Sequence, residues 1–114
     1  NSTKGIVHTG KGTVTQATDH TTGVTINATS GKIQLAAVAL GAATNAEFTV
    51  TNSTVSASSI ILLTVQDENT TNNAQLTACT HTLASGSFKI SIFNPAATGA
   101  TSTTASKIHF LVIN

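Results

Sequence analysis

Cys79 and His81 are the two residues of this 114-residue chain best placed to do chemistry together. They stand two apart in the alternating stretch Ala74-Gln75-Leu76-Thr77-Ala78-Cys79-Thr80-His81-Thr82, so on a strand they share a face. A thiol beside an imidazole is half of a zinc site, which needs four ligands, or three and a water. The remaining imidazoles are His8, His20 and His109, and no spacing among these residues matches a zinc pattern. The pair is therefore read as a small half-buried thiol next to a rim histidine.

Other chemistries fare no better. Asp67-Glu68-Asn69 offers oxygen ligands for calcium, but it lacks the repeated Asp/Asn spacing and the glycine of a dedicated loop, so it reads as a solvated turn. A Ser-His-Asp triad is defined by geometry, and with eleven serines a serine near a histidine carries no information. No Gly-x-Ser-x-Gly elbow and no phosphate-cradling glycine loop is present. The four carboxylates are Asp19, Glu47, Asp67 and Glu68; the last two are adjacent and fall on opposite sides of an extended chain, which does not suit a glycosidase pair. Asn1, Asn27, Asn52 and Asn69 each begin an Asn-x-Ser/Thr triplet, a pattern that a chain rich in these residues produces by chance. The reading is of no enzyme: catalytic residues none, cofactor-binding residues none, metal ligands none.

The elements that hold these residues follow from composition and period. Hydrophobic residues make up 39% of the chain and charged residues only 8%, against about a quarter in ordinary domains. The balance is largely Thr, Ser, Asn, Ala and Gly, with β-branched Thr and Val favouring a pleated sheet. Ala36-Ala37-Val38-Ala39-Leu40 is the one helical temptation, too short and uncapped to hold. The formal net charge is +1 and there is no Arg, so the basic stripe of a nucleic-acid binder is missing. No apolar run is long enough for a membrane span. There is no signal peptide and no Met, so the sequence is expected to have lost a leader or to be part of a longer chain.

Residues 1–11 read as an extended N-terminal arm that orders on a neighbouring subunit or on a shell below it, and 12–114 as a β-sandwich domain. Eight alternating segments are expected: 13–18, 24–27, 32–35, 47–51, 60–65, 74–82, 88–92 and 107–113. Segments 24–27 and 32–35, joined by a Gly-containing loop, look like a hairpin. The stretch Ile60-Ile61-Leu62-Leu63-Thr64-Val65 is read as apolar on both faces, so it is expected to be a central strand covered on both sides or one lying against a partner subunit. Ser85-Gly86 is a turn, and Pro95 stops the strand before it. The inward residues are expected to be Val24, Ile26, Ile33, Leu35, Phe48, Val50, Leu62, Leu76, Phe88, Ile90, Ile92, Phe110 and Val112. The fold class is all-β: an antiparallel sandwich of about eight strands, a jelly roll or related Greek key. An immunoglobulin-type sandwich ranks second, since the chain has no Trp, no Tyr and one Cys.

Gly12-Thr13-Val14-Thr15-Gln16-Ala17-Thr18, Thr22-Gly23-Val24-Thr25-Ile26-Asn27 and Ser30-Gly31-Lys32-Ile33 together resemble the opening of small β-sandwich modules in tailed-phage virions. Phe48-Thr49-Val50-Thr51-Asn52-Ser53, Ala84-Ser85-Gly86-Ser87-Phe88 and the closing apolar strand fit the same pattern. The resemblance runs from Gly12 to Asn114 and carries no catalytic residue. It implies a virion protein, either a capsid decoration (cement) protein or a tail-fibre or host-recognition module. An extracellular adhesin is a more distant reading. Cement is preferred, because a receptor tip is expected to show exposed aromatics and this chain has only four Phe, placed in or at the end of strands. The expected protein is a homotrimer on the capsid surface, with the major capsid protein as partner, no nucleic acid, no membrane and no cofactor.

Overall fold

The computed structural model describes residues 11–67, 75–98 and 106–114. The expected arm, apart from Lys11, lies outside them, as do Glu68, Asn69 and Ala74. Among the described residues there is no helix. Eight strands form, one at each expected segment: β1 (Lys11–Thr15), β2 (Val24–Thr25), β3 (Ser30–Gln34), β4 (Asn45–Thr51), β5 (Ile60–Gln66), β6 (Thr77–Ala84), β7 (Ser87–Phe93) and β8 (Lys107–Ile113). Lys11, assigned to the arm from sequence, is the first residue of β1.

The strands make two four-stranded sheets in the orders β1-β3-β8-β5 (sheet A) and β2-β4-β7-β6 (sheet B). Only β6 and β7 are joined as a hairpin; each other connection passes from one sheet to the other. Two consequences differ from the sequence reading. The segments expected as a hairpin, around Val24 and Ile33, become β2 and β3 in opposite sheets. Their inward residues meet across the core instead of side by side, and the alternation is the same in both arrangements. The sheets are also mixed: β1 pairs β3 in parallel and β2 pairs β4 in parallel. A chain that crosses to the other sheet and back reverses twice, so strands two apart in sequence run the same way.

The core is built from the alternating inward residues. Ile33, Val50, Phe88, Ile90, Ile92 and Ile108 are wholly buried, with Val24, Ile26, Leu35, Phe48, Leu76, Phe110 and Val112 nearly so. Phe88 of sheet B and Phe110 of sheet A stack across the interior, ring centroids 6.4 Å apart and planes tilted by 59°. Such a pair contributes roughly 0.5–1.5 kcal/mol beyond the burial of the rings. Leu40 and Val55 enter the core from loops.

The exception is β5. It is not a central strand but an edge of sheet A, with β8 as its strand neighbour. Its register is the reverse of expectation: Ile61, Leu63 and Val65 pack against the core, while Leu62 is 51% exposed and Ile60 57%.

Buried amides tie the crossing connections. Gln16 Nε2 donates to the Thr22 carbonyl (2.9 Å) while its Oε1 accepts from the Ala36 amide (3.1 Å). Asn52 Nδ2 donates to the Ala28 carbonyl (2.7 Å), and its Oδ1 accepts from the amide and hydroxyl of Thr54 (2.9 and 2.7 Å). Asn94 Nδ2 donates to the Leu40 carbonyl (2.9 Å), and its Oδ1 accepts from the Ala96 amide (3.0 Å). The triplet that begins at Asn52 thus has its asparagine wholly buried and engaged, which closes it to a glycan in the folded chain.

Candidate functional site

Two outer faces remain, and they carry different chemistry. On sheet B, Cys79 and His81 do share the outer face of β6, with Cα partners Ser91 and Lys89 on β7. Cys79 is exposed and free. His81 is engaged elsewhere: its Nε2 lies 2.7 Å from Glu47 Oε2, and its Nδ1 lies 2.8 Å from Thr82 Oγ1. Lys89 Nζ sits 3.6 Å from the other Glu47 oxygen. Glu47 comes from β4, beyond β7, a neighbour that the sequence spacing of Cys79 and His81 does not reveal.

Thr82, His81 and Glu47 line up as hydroxyl, imidazole and carboxylate. Thr82 stands at φ 53°, in the bulge that shifts the β6–β7 register between His81 and Ala84. The order is that of a nucleophile, a base and its orienting acid, but the setting is not. His81 and Glu47 side chains are 39% and 45% exposed on an open strand face, where water competes for every hydrogen bond. Acyl transfer also needs donors converging on an oxyanion within a desolvated cleft. Among the described residues no three or more of His, Cys, Asp and Glu gather in a way that would hold a metal ion.

Asp67, expected in a solvated turn, works as a tether. Its Oδ2 accepts from the Leu76 amide (2.6 Å) and its Oδ1 from the Ser106 hydroxyl (2.7 Å). His20 is buried, with Nε2 3.2 Å from the Ala36 carbonyl, and burial holds its pKa below the ordinary 6.5. The Thr21 hydroxyl and amide donate to Asp19 Oδ1 and keep its carboxyl below the usual value of 3.8.

The outer face of sheet A is the larger feature. Strand register fixes its rows. Ile113 faces Ile60; Ser30, Leu111 and Leu62 follow in the next row beside Lys11 of β1. Then come Thr13, Lys32, His109 and Thr64, and after them Thr15, Gln34, Lys107 and Gln66. One corner is therefore apolar, with Ile60, Leu62 and Ile113 exposed at 57, 51 and 42%. Beside it a groove of about 440 Å³ runs along β1, β3 and β8, walled by Lys11, Lys32, His109 and Leu111. Gly12 and Gly31 let the two parallel strands approach here: a Cβ on Gly31 would stand 2.6 Å from the Gly12 carbonyl oxygen.

The chain matches no protein-family model, no curated protein and no solved structure.

Proposed function

We propose that this protein is a viral structural protein of the decoration, or cement, kind: it binds the outer surface of a capsid as a homo-oligomer, a trimer, and stabilises the shell. The observation that carries the reading is the exposed apolar corner of Ile60, Leu62 and Ile113 on sheet A. Large aliphatic side chains gathered on one face of a small β-domain mark a surface made for covering. The edge strand there, Ile60–Gln66, contains no charge and no proline, the devices by which an edge is kept solitary. The other edges have them: β2 is two residues long, β6 is bulged, and β1 begins with Lys11.

Cementing requires no catalytic step. It requires modest contacts repeated by symmetry across the seams between capsid subunits. Linking copies in one oligomer turns weak single contacts into durable attachment. A protein that binds the expanded shell and not its opened form stabilises the former by mass action. The major capsid protein is the partner in this reading, and the capsid surface is the location.

The test is to prepare particles with and without the protein and heat them. Particles that lack it should release their genome at a lower temperature. Equal release temperatures would overturn the reading, and a copy number of tens rather than hundreds per particle would favour a tail-fibre module.

A further inference from the structure

We infer that the outer face of sheet A docks an acidic segment of its protein partner, with carboxylates seated between Lys11 and Lys32 and apolar side chains laid on Leu62 and Leu111. The inference rests on the proposed reading in one respect, that the segment belongs to the shell protein.

Charge placement argues for it first. Three of the four described lysines, Lys11, Lys32 and Lys107, project from this face. None of the described carboxylates does: Glu47 is on sheet B, Asp19 is in the β1–β2 connection, and Asp67 follows the end of β5. Lys11 and Lys32 wall the same groove, with His109 directly opposite Lys32 in register. Sheet B is the counterexample within the same molecule, where Glu47 lies against both His81 and Lys89. Among the described residues no acid stands in this way beside Lys11 or Lys32.

Geometry then narrows the occupant. A strand added to the β5 edge would satisfy backbone groups, but Ile60 and Leu62 point outward from the sheet and would stay wet. The partner must lie on the face. A second copy using the same face is disfavoured by charge. A two-fold contact either sets lysine against lysine or lays lysines on the apolar corner, and in a three-fold ring the one carboxylate on a described strand of the neighbour, Glu47, is already held by His81 and Lys89. A nucleic acid would use the lysines but leave the aliphatic corner exposed, and the groove has no arginine and only the His109 ring to stack on a base, since its Phe110 is turned into the core. An acidic segment with apolar residues alongside uses both halves at once, because Leu111 belongs to the groove wall and to the apolar corner alike.

The experiment is rebinding of the purified protein to particles stripped of it. Wild-type protein should rebind saturably and more weakly as salt rises. A Lys11→Glu/Lys32→Glu double variant should bind on the order of tenfold more weakly or worse, as should Leu62→Ser, while Lys89→Glu on the opposite face should stay within about twofold of wild type. A zero-length carbodiimide should couple Lys11 or Lys32 to Asp or Glu of the shell protein, located by mass spectrometry. Failure of the wild-type protein to rebind would overturn the shell reading and this inference with it. Unimpaired rebinding by the double variant, or equal damage from Lys89→Glu, would overturn this inference alone. So would dissociation of the homo-oligomer by Leu62→Ser, which marks a self-interface, or loss of rebinding after nuclease treatment, which marks a nucleic acid. Circular dichroism on each variant separates lost binding from lost folding.

Discussion

Replacing Gly31 by alanine tests whether the parallel β1–β3 pair is as close as described. The added Cβ would stand 2.6 Å from the Gly12 carbonyl oxygen, 3.1 Å from its carbonyl carbon and 2.9 Å from Ile26 Cδ1. The first two atoms are backbone and cannot swing aside. Relief requires β1 to move away from β3 by more than half an ångström, which stretches the ladder between Lys11–Thr15 and Ser30–Gln34. Forcing extra volume against backbone that cannot yield belongs in the upper half of the usual range, roughly 2–3 kcal/mol. Losing a glycine from the unfolded chain returns about 0.4–1 kcal/mol. The net expectation is a loss of about 1–2 kcal/mol, or a melting point lower by roughly 4–8 °C at the low end of that range. Gly12→Ala is the matched control. Its Cβ would meet Ile26 Cγ1 at 3.0 Å and Cδ1 at 3.1 Å, side-chain atoms that can rotate, so its net effect should lie within about 1 kcal/mol of zero. The chain has no Trp and no Tyr, so urea unfolding is followed by far-ultraviolet circular dichroism. A Gly31→Ala protein as stable as wild type, or less affected than Gly12→Ala, would refute the close approach.

Three further outcomes follow from the same structure. Leu63→Ser should cost about 2 kcal/mol or more and Leu62→Ser no more than about 1 kcal/mol in the isolated protein, because only Leu63 packs on the core; equal losses in urea melts would contradict the β5 register. Asn94→Ala removes the bonds to the Leu40 carbonyl and the Ala96 amide and should cost about 1–3 kcal/mol, which calorimetry would read as a lowered melting point. Burial lowers the His20 pKa, so its contribution is intact above 6.5 and is lost as pH falls from 6.5 through the lower native value. Wild-type melting temperature should therefore fall more steeply over that window than that of His20→Gln, and parallel pH profiles would contradict the assignment.

Period two made strands legible where inward Val, Ile or Phe alternates with Thr, Ser or Lys, as Phe88, Ile90 and Ile92 do with Ser87, Lys89 and Ser91 in β7. It failed where the alternation does: Ile60-Ile61-Leu62-Leu63 offers the same apolar content in either register, and the cue that turns Leu63 inward comes only from Val65 between Thr64 and Gln66. Sheet membership was equally illegible. β2 and β3 bury Val24 and Ile33 whether they pair as a hairpin or face each other, and only the crossings of the whole chain decide. The candidate sites share this dependence. Cys79 and His81 were placed on one face from their spacing, but Glu47 reaches His81 through the order β4-β7-β6. Lys11, Lys32 and His109 gather because β1, β3 and β8 are neighbours, and they are about 20 and 80 residues apart in sequence.

The scarcity of charge and the abundance of amides have one cause in this topology. A chain that changes sheet at almost every connection must anchor many loops whose carbonyls and amides lie under the surface. A side-chain amide offers donor and acceptor together and enters the interior without the desolvation cost of an ion. Gln16, Asn52 and Asn94 each use both ends to bind loop backbone, and all three are buried. Two described carboxylates also hold loop backbone: Asp67 below the surface, at the bonds to Leu76 and Ser106, and Asp19 at the surface, at the Thr21 amide. Lys11 and Lys32, on the outer face of sheet A, take no part in the anchoring by these three amides. On the proposed reading, the unequal division of charge between sheets A and B serves recognition rather than solubility. A coat made only to keep a domain soluble would intersperse both signs over both faces.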